Sequence, residues 1–543
     1  LIVRSCRLDG NRKYMCRSCV GYNRSMRKYL VFTIFISGMA SLAVEMTASR
    51  LLGNYFGSSN LIWAVIVGLI LIYLTAGYFL GGRWSDQSPH FATFYRILAW
   101  SGFLVGVIPL VSRPILRLAA NAFDELALGG MVGAFVTVLI LFSAPVTLMG
   151  TASPFAIRLS LHDSRHAGSI AGKIYAISTL GSFLGTFLPG LLLVPLIGTF
   201  RTFVAIGGIL LVTALVGLWL DSGFRKTLPW LWMPVILVIL AILGTQGTDK
   251  NSSGLVYETE SAYNYIQVLE QDGYTLLRLN EGQGVHSIYH PSQLNYYGPW
   301  EQVAIAPFFN PAPFSPDFVQ RTAIVGLAAG TTARQMTEIY GTDLIIDGYE
   351  IDPKIVDVAH QFFDMNMPNL NVFVQDGRTG LAASPHQYQV ISVDAYRPPY
   401  IPWHLTTVEF FNTVHEHLSS DGVMIINVGR TDTSRQLIDE LASTILAIFP
   451  SVHVVDLPYS YNSLLFATVQ PTDSANLLEN FSQLQLSGTA HPLLLETMQI
   501  AIANLQPTPQ STIVYTDDLA PVELVTNQLV LSYLFSPHTD PIP

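Results

Sequence analysis

Thr322-Ala323-Ile324-Val325-Gly326-Leu327-Ala328-Ala329-Gly330 is the stretch that decides how the second half of this chain folds. An apolar, β-branched run flows into two glycines, the pattern of a buried strand that turns sharply into a helix. A second apolar run, Leu344 to Tyr349, ends on Glu350, 24 positions after Gly326. Val372 to Gln375 leads into Asp376-Gly377, and Val390 to Val393 leads into Asp394. Helical stretches after Thr331, from Pro353 to Phe363 and from Thr406 to Leu418 fall between these runs, and Val423 to Val428 extends the series. Such alternation predicts a mainly parallel, Rossmann-like α/β sheet with helices on both faces. Ligands of these sheets bind where the strands end at their carboxyl side.

The chemistry-bearing residues stand at those ends. Gly326 and Gly330 allow the backbone to come close to a ligand and to present helix N-terminal amides. Glu350 is placed to accept both hydroxyls of a ribose, and Asp376-Gly377 to take an adenine amino group. A lone G-x-x-x-G is also just a tight turn, but the three features in this order read as a site for an S-adenosyl nucleoside. Asp394 is the candidate catalytic carboxylate; the competing reading is that it caps the loop Ala395-Tyr396-Arg397-Pro398-Pro399.

Before this sheet, Val256 to Glu260, Tyr265 to Leu269 and Tyr274 to Leu279 alternate around an Asp272-Gly273 turn, which predicts a small antiparallel β unit over residues 255–300. The α/β domain then occupies 320–543. The first half is different. Mean hydropathy is +0.40 with 12% charged residues over 543, too apolar for a soluble chain of this length. A crossing helix needs about 20 apolar residues, and roughly seven candidates meet that. They lie near 29–49, 61–81, 94–111, 127–149, 174–197, 201–220 and 229–245, so residues 29–246 read as a multi-pass helical membrane domain. Gly181, Ser182, Gly185 and Gly190 suit close helix packing in lipid. Glu45 is an expensive residue inside a span, read either as a functional acid or as a partner of Arg50.

The net charge of −10 provides no basic stripe and argues against nucleic acid as a partner. Cys6, Cys16 and Cys19 all precede the first span, so neither half carries a disulfide framework, and one C-x-x-C is half a metal site; no metal is expected. Residues 1–28 are expected as a disordered basic lead. Lys and Arg counts put the N-terminus in the cytoplasm. An odd span number would then set the α/β domain outside, whereas an adenosyl donor argues for the cytoplasmic face of the cell membrane.

Taken together, residues 255–468 resemble the spermidine synthase family of aminopropyltransferases, and more closely its membrane-fused bacterial branch. Ser261-Ala262-Tyr263-Asn264 is similar to the family's S-x-Y-Q entry motif, Leu279-Asn280 to its L-D-G loop, and Asp376-Gly377-Arg378 to its D-G-R. Val393-Asp394 matches the strand end that supplies the catalytic aspartate, Thr406 to Phe411 the next helix, and Thr516 to Glu523 a segment of the fused branch. The resemblance implies decarboxylated S-adenosylmethionine as co-substrate, an amine acceptor, Asn264 beside the donor, and a homodimer. Pro299-Trp300-Glu301 stands for the family's Y-H-E, which makes Glu301 a candidate substrate contact together with Tyr396 and Asp517.

Departures from the family matter equally. Ala328 and Ala329 occupy the region where members carry an aspartate, and Tyr396-Arg397 replaces a second one. A guanidinium ~6 Å from a bound ammonium would cost about 3 kcal/mol at an effective dielectric of ~20. Asp517, Asp518 and Glu523 could restore negative charge, although Thr-Asp-Asp before a helix is also an ordinary cap. Two other functions fit the same residues: a methyltransferase using S-adenosylmethionine itself, and a transporter or scaffold with a nucleoside-sensing domain.

Overall fold

The computed structural model describes residues 17–535 except 57–59, 126–128, 162–165, 245–249, 251, 281–283, 397–400, 432–433, 459 and 510. Among them six helices are long and apolar enough to cross a membrane: Ser25–Phe56, Ile62–Gln87, Phe91–Leu116, Ala167–Ile197, Thr199–Ser222 and Phe224–Ile242. The fourth expected span is a broken pair, Gly133–Leu141 and Ser143–Ser160, bent by 54° and counting as a seventh only if the two pieces make one span. Pro109 and Pro114 do not end the third helix, which runs from Phe91 to Glu125; apolar bundles tolerate proline where neighbours absorb the lost hydrogen bond. Residues 17–28, expected to be disordered, instead belong to the helix Arg17–Phe56. The remainder of that lead, with Cys6 and Cys16, lies outside the described residues.

The described parts of Leu1–Leu51, Ala64–Ala119 and Ala134–Asp249 form one compact unit. Its helices meet through small residues. A Cβ on Gly181 would fall 2.0 Å from the Phe35 carbonyl oxygen, one on Gly185 2.1 Å from that of Met39, and one on Gly38 2.2 Å from that of Ser178. The Ser182 hydroxyl donates to the Gly38 carbonyl at 3.1 Å. Gly190, expected to share this packing, has open space around it. Tyr29 ties the first helix to the others, its hydroxyl donating to the Thr213 carbonyl at 2.8 Å and its ring 6.1 Å from that of Tyr95. Glu45 is 7% exposed.

Leu52–Trp63, Ala120–Gly133 and Lys250–Pro543 contribute the second unit. Four antiparallel strands come first: β1 (Leu255–Glu260), β2 (Tyr265–Gln271), β3 (Tyr274–Leu279) and β4 (Val285–Tyr289), in the order β1-β2-β3-β4. The β2–β3 turn is Asp272-Gly273 as expected, both at positive φ, as a tight hairpin demands. Strand β4 was not expected. Eight strands then form one sheet: β5 (Arg321–Val325), β6 (Ile345–Glu350), β7 (Leu370–Val374), β8 (Tyr388–Val393), β9 (Leu418–Gly429), β10 (Ser451–Asp456), β11 (Asn462–Thr468) and β12 (Leu505–Gln506). Their order is β12-β10-β11-β9-β8-β5-β6-β7, with β5 to β10 running one way and β11 and β12 the other, so that β11 pairs antiparallel with both β9 and β10.

Successive residues of β5 feed opposite cores, Ile324 joining Ile346, Val390 and Ile425, and Val325 joining Tyr349, Val393 and Ile426. Burial on both faces explains why this strand reads as an unbroken apolar run. The chain leaves β5 toward β6 on one side and resumes at β8 on the other, so the end of β5 is the sheet's topological switch point, the place where sheets of this kind take their ligands.

The close approach at Gly181 yields a prediction. Gly181→Leu should destabilise the detergent-solubilised chain by about 2 kcal/mol or more, read as a lower midpoint in thermal unfolding. An unchanged midpoint would refute the helix contact.

Candidate active site

The loops at this edge of the sheet meet at the last residue of β5. The Val325 carbonyl accepts the Asp394 N–H at 2.9 Å, and the Tyr349 carbonyl accepts the Gly326 and Leu327 N–H groups, each at 3.0 Å. Gly326 has φ +93°, and a Cβ there would lie 2.6 Å from the Asp394 carbonyl oxygen. Only glycine satisfies both demands. Gly377 packs on the same point, since its Cβ would meet Val325 Cγ1 at 2.5 Å. Gly330 caps the helix Thr331–Tyr340 at φ +82°. The ends of β5, β6, β7 and β8 are thereby woven together, and they carry the expected Glu350, Asp376 and Asp394.

Glu350 is 7% exposed. One carboxylate oxygen accepts the Ala328 N–H and the other the Asp352 N–H, both at 3.0 Å. Ala328 reaches it because the loop turns through φ +48° there. Burial pushes the Glu350 carboxyl up to about 7, against the pull of these backbone donors. Asp352, which the sequence reading passed over, is fully buried and caps the helix Pro353–Phe362 through the Lys354 N–H at 3.0 Å. It also accepts the Ser261 hydroxyl at 2.5 Å and Asn264 Nδ2 at 2.9 Å. Asn264 Oδ1 in turn accepts Asn280 Nδ2 at 3.0 Å. The entry motif therefore bonds to the α/β sheet through Asp352, which engages one N–H of the Asn264 carboxamide while Asn280 engages its oxygen.

Asp376 caps the short helix Gly377–Ala382, accepting the Thr379 N–H at 2.9 Å and hydroxyl at 3.0 Å. His404 Nε2 stands 3.1 Å from its other oxygen. Partial burial would raise the Asp376 carboxyl, but these donors outweigh it and hold it below the usual carboxylate range. Arg378 grips Asp517 with two bonds, at 2.8 and 2.7 Å, and Thr407 donates to the same carboxylate at 2.7 Å. Arg378 thus balances the charge of Asp517.

Half-buried Asp394 is pushed up to about 6 by desolvation, and Asn427 Nδ2 draws it back by donating to Oδ1 at 3.0 Å. The Tyr396 hydroxyl donates to the Asn427 carbonyl at 2.9 Å, and burial near Asp394 keeps that phenol protonated. Arg397 lies outside the described residues. Glu301 is almost fully buried, accepts the Gly298 N–H at 2.6 Å and Gln335 Nε2 at 3.1 Å, and is pushed up to about 7 by burial. Among the described residues no three His, Cys, Asp or Glu side chains gather as a metal site. Asp352 had a readable signal, an aspartate just before a helix-starting proline; His404 and Asn427 had none, since each arrives from a distant segment.

Residues 321–479 match the family model described as the spermine/spermidine synthase domain. A probable polyamine aminopropyl transferase of Bifidobacterium longum is 35% identical over 50% of this chain and 62% of its own length. The chain thus spans under two thirds of that relative. A polyamine aminopropyltransferase of Vibrio vulnificus is 27% identical over 50% of this chain and 89% of its own. The crystal structure of a probable spermidine synthase from Corynebacterium glutamicum aligns with a TM-score of 0.37 at 20% identity, over 50% of this chain and 99% of that one.

The raised Glu350 carboxyl makes stability depend on pH. The unfolded chain loses this proton near 4.5, the fold near 7, so the group's contribution is whole below about 4.5 and is lost as pH climbs through 7. Glu350→Gln should flatten that decline by up to roughly 3 kcal/mol between pH 5 and 8, measured by denaturant unfolding. An equally steep decline in the variant would refute the assignment.

Proposed function

We propose, from the match of residues 321–479 to the spermine/spermidine synthase domain, that this chain is a membrane-bound transferase moving an aminopropyl group from decarboxylated S-adenosylmethionine to an amine acceptor. The observation that carries the reading is the convergence of Glu350, Asp376-Gly377 and Asp394 on the end of β5. Glu350 accepts the ribose hydroxyls; its two oxygens are held by Ala328 and Asp352 in an orientation already fixed before the donor arrives. Asp376, with Gly377, takes the adenine amino group.

Asp394 handles the acceptor. A free aliphatic amine is protonated at neutral pH, with a pKa near ~10.4, and cannot attack as an ammonium. A carboxylate that binds it, removes its proton and aims the lone pair supplies a typical 10²- to 10⁴-fold. The new C–N bond forms as the C–S bond breaks, the sulfonium takes the electron pair to become a neutral thioether, and the proton passes to Asp394. Asn427 occupies Oδ1 of Asp394, which leaves Oδ2 for the amine.

Ala328 and Ala329 favour a second reading. The loop lacks the carboxylate that the resemblance assigns to the donor's amine, so methyl transfer from S-adenosylmethionine with the same Glu350 and Asp376 is the alternative. The apolar helices support a multi-pass location in the cell membrane, and the need for an adenosyl donor supports a cytoplasmic α/β domain.

With decarboxylated donor and a panel of amines, purified chain should release methylthioadenosine. Its rate should rise with pH through about 6 as Asp394 ionises, and Asp394→Asn should lower it at least 100-fold while donor affinity stays within a few fold by calorimetry. S-adenosylhomocysteine formed from S-adenosylmethionine would establish methyl transfer instead; full turnover by Asp394→Asn would remove Asp394 from the chemistry.

A further inference from the structure

Trp403–Leu405 is a single tight helical turn, and the chain fixes it from both ends. Ile401 before it and Leu405 within it are each 2% exposed and belong to the core that holds Val325 and Tyr349. The Leu405 N–H donates to the Pro402 carbonyl at 2.9 Å and the Thr406 N–H to the Trp403 carbonyl at 3.1 Å. Arg378 donates to the His404 carbonyl at 3.0 Å through the same guanidinium nitrogen that engages Asp517. Asp517 is fastened in turn by the Thr407 hydroxyl at 2.7 Å, and its own N–H reaches Glu409 at 3.0 Å. His404 therefore stands on a braced backbone. Its side chain and that of Asp376 remain 32% and 33% exposed, so a ligand can reach the pair.

The acceptor positions of Asp376 can be counted. An ionised carboxylate offers about four of them, two on each oxygen, and donates nothing. Oδ1 is filled by the N–H and the hydroxyl of Thr379. Oδ2 faces His404 Nε2 at 3.1 Å, and because the carboxylate only accepts, the ring nitrogen turned toward it carries the proton. Among the described residues nothing else bonds to this carboxylate. One position remains, on Oδ2, and it points in the direction that His404 leaves open.

We propose that His404 is a positioning residue for nucleobase choice: by occupying one lone pair of Asp376 Oδ2 it leaves a single acceptor for one N–H of the base, so that the site selects a 6-aminopurine over a 6-oxopurine. The inference rests on the transferase reading, which gives Asp376 the adenine amino group. A 6-amino group donates into the open position. A 6-oxo group brings an oxygen there instead, with no proton between it and Oδ2, and a site built to accept a substrate N–H rejects the analogue that lacks it. The 6-oxopurine does carry an N–H on the adjacent ring nitrogen. Without His404, Oδ2 has a second open lone pair from which that N–H can be accepted, and discrimination falls.

The test titrates the full chain in detergent, by calorimetry, with 5′-methylthioadenosine and with its 6-oxo counterpart 5′-methylthioinosine. The parent should prefer the amino nucleoside by about 100-fold or more. His404→Met, which fills similar space without an N–H, should cut that preference by about tenfold or more. His404→Gln, whose Nε2 stands as many bonds from Cβ as the imidazole Nε2, should keep it within about threefold of the parent. A preference in His404→Met equal to the parent's would overturn the proposal, and so would equal losses in the Met and Gln variants, since the N–H would then not be what matters. A tenfold loss in His404→Gln that melts with the parent overturns it as well, whether or not His404→Met folds. Parent chain that binds neither nucleoside, or both alike, would refute the adenosyl site and this inference with it; a discriminating parent beside an equally discriminating Met variant refutes the role of His404 alone.

Discussion

The end of β5 is the constraint from which the rest of the α/β domain follows. Val325 offers one carbonyl to the Asp394 N–H, and the next residue must turn through φ +93° with no side chain. That single crowded step lets the loop after β8 touch the loop after β5 and lets Gly377 press on Val325. If Gly326 carried a Cβ, the catalytic candidate and the glycine loop would have to separate.

Three carboxyls around this point differ because their surroundings differ. Glu350 and Asp394 shift upward because desolvation outweighs their donors, while Asp376, with Thr379 and His404 donating to it, shifts downward. One sheet edge therefore holds two acids poised near neutrality beside one that is firmly anionic. This is the division of labour expected where a nucleoside is gripped by hydrogen bonds while a neighbouring group trades a proton.

Much of the sheet was legible because each βα unit announces itself locally. Apolar runs gave β5 to β9, and Gly326, Glu350, Asp376 and Asp394 sit at their ends because polar residues after buried strands have few other places to go. What escaped notice depends on partners far away in the chain. Asn264 looked like a donor contact, yet its carboxamide binds Asp352, 88 positions later. Asp517 looked like spare negative charge, yet Arg378 engages it across 139 positions. Strand β4 follows a short break after β3, and β11 and β12 run against the direction that β5 to β10 share, which no periodicity of the sequence signals. In the apolar half the spans were readable by length, but the 54° break between Gly133–Leu141 and Ser143–Ser160 was not, since composition is continuous across it.

Ser261, Asn264, Asn280 and Asp352 form one hydrogen-bonded chain drawn from the small antiparallel sheet and from a helix cap. Four separated positions are thus answerable to one another as a set. Substituting any one of them strands a buried polar group on its neighbour, so they are expected to drift in concert among descendants of this sequence. A graft of the β unit from a different protein would need the matching cap residue carried along with it.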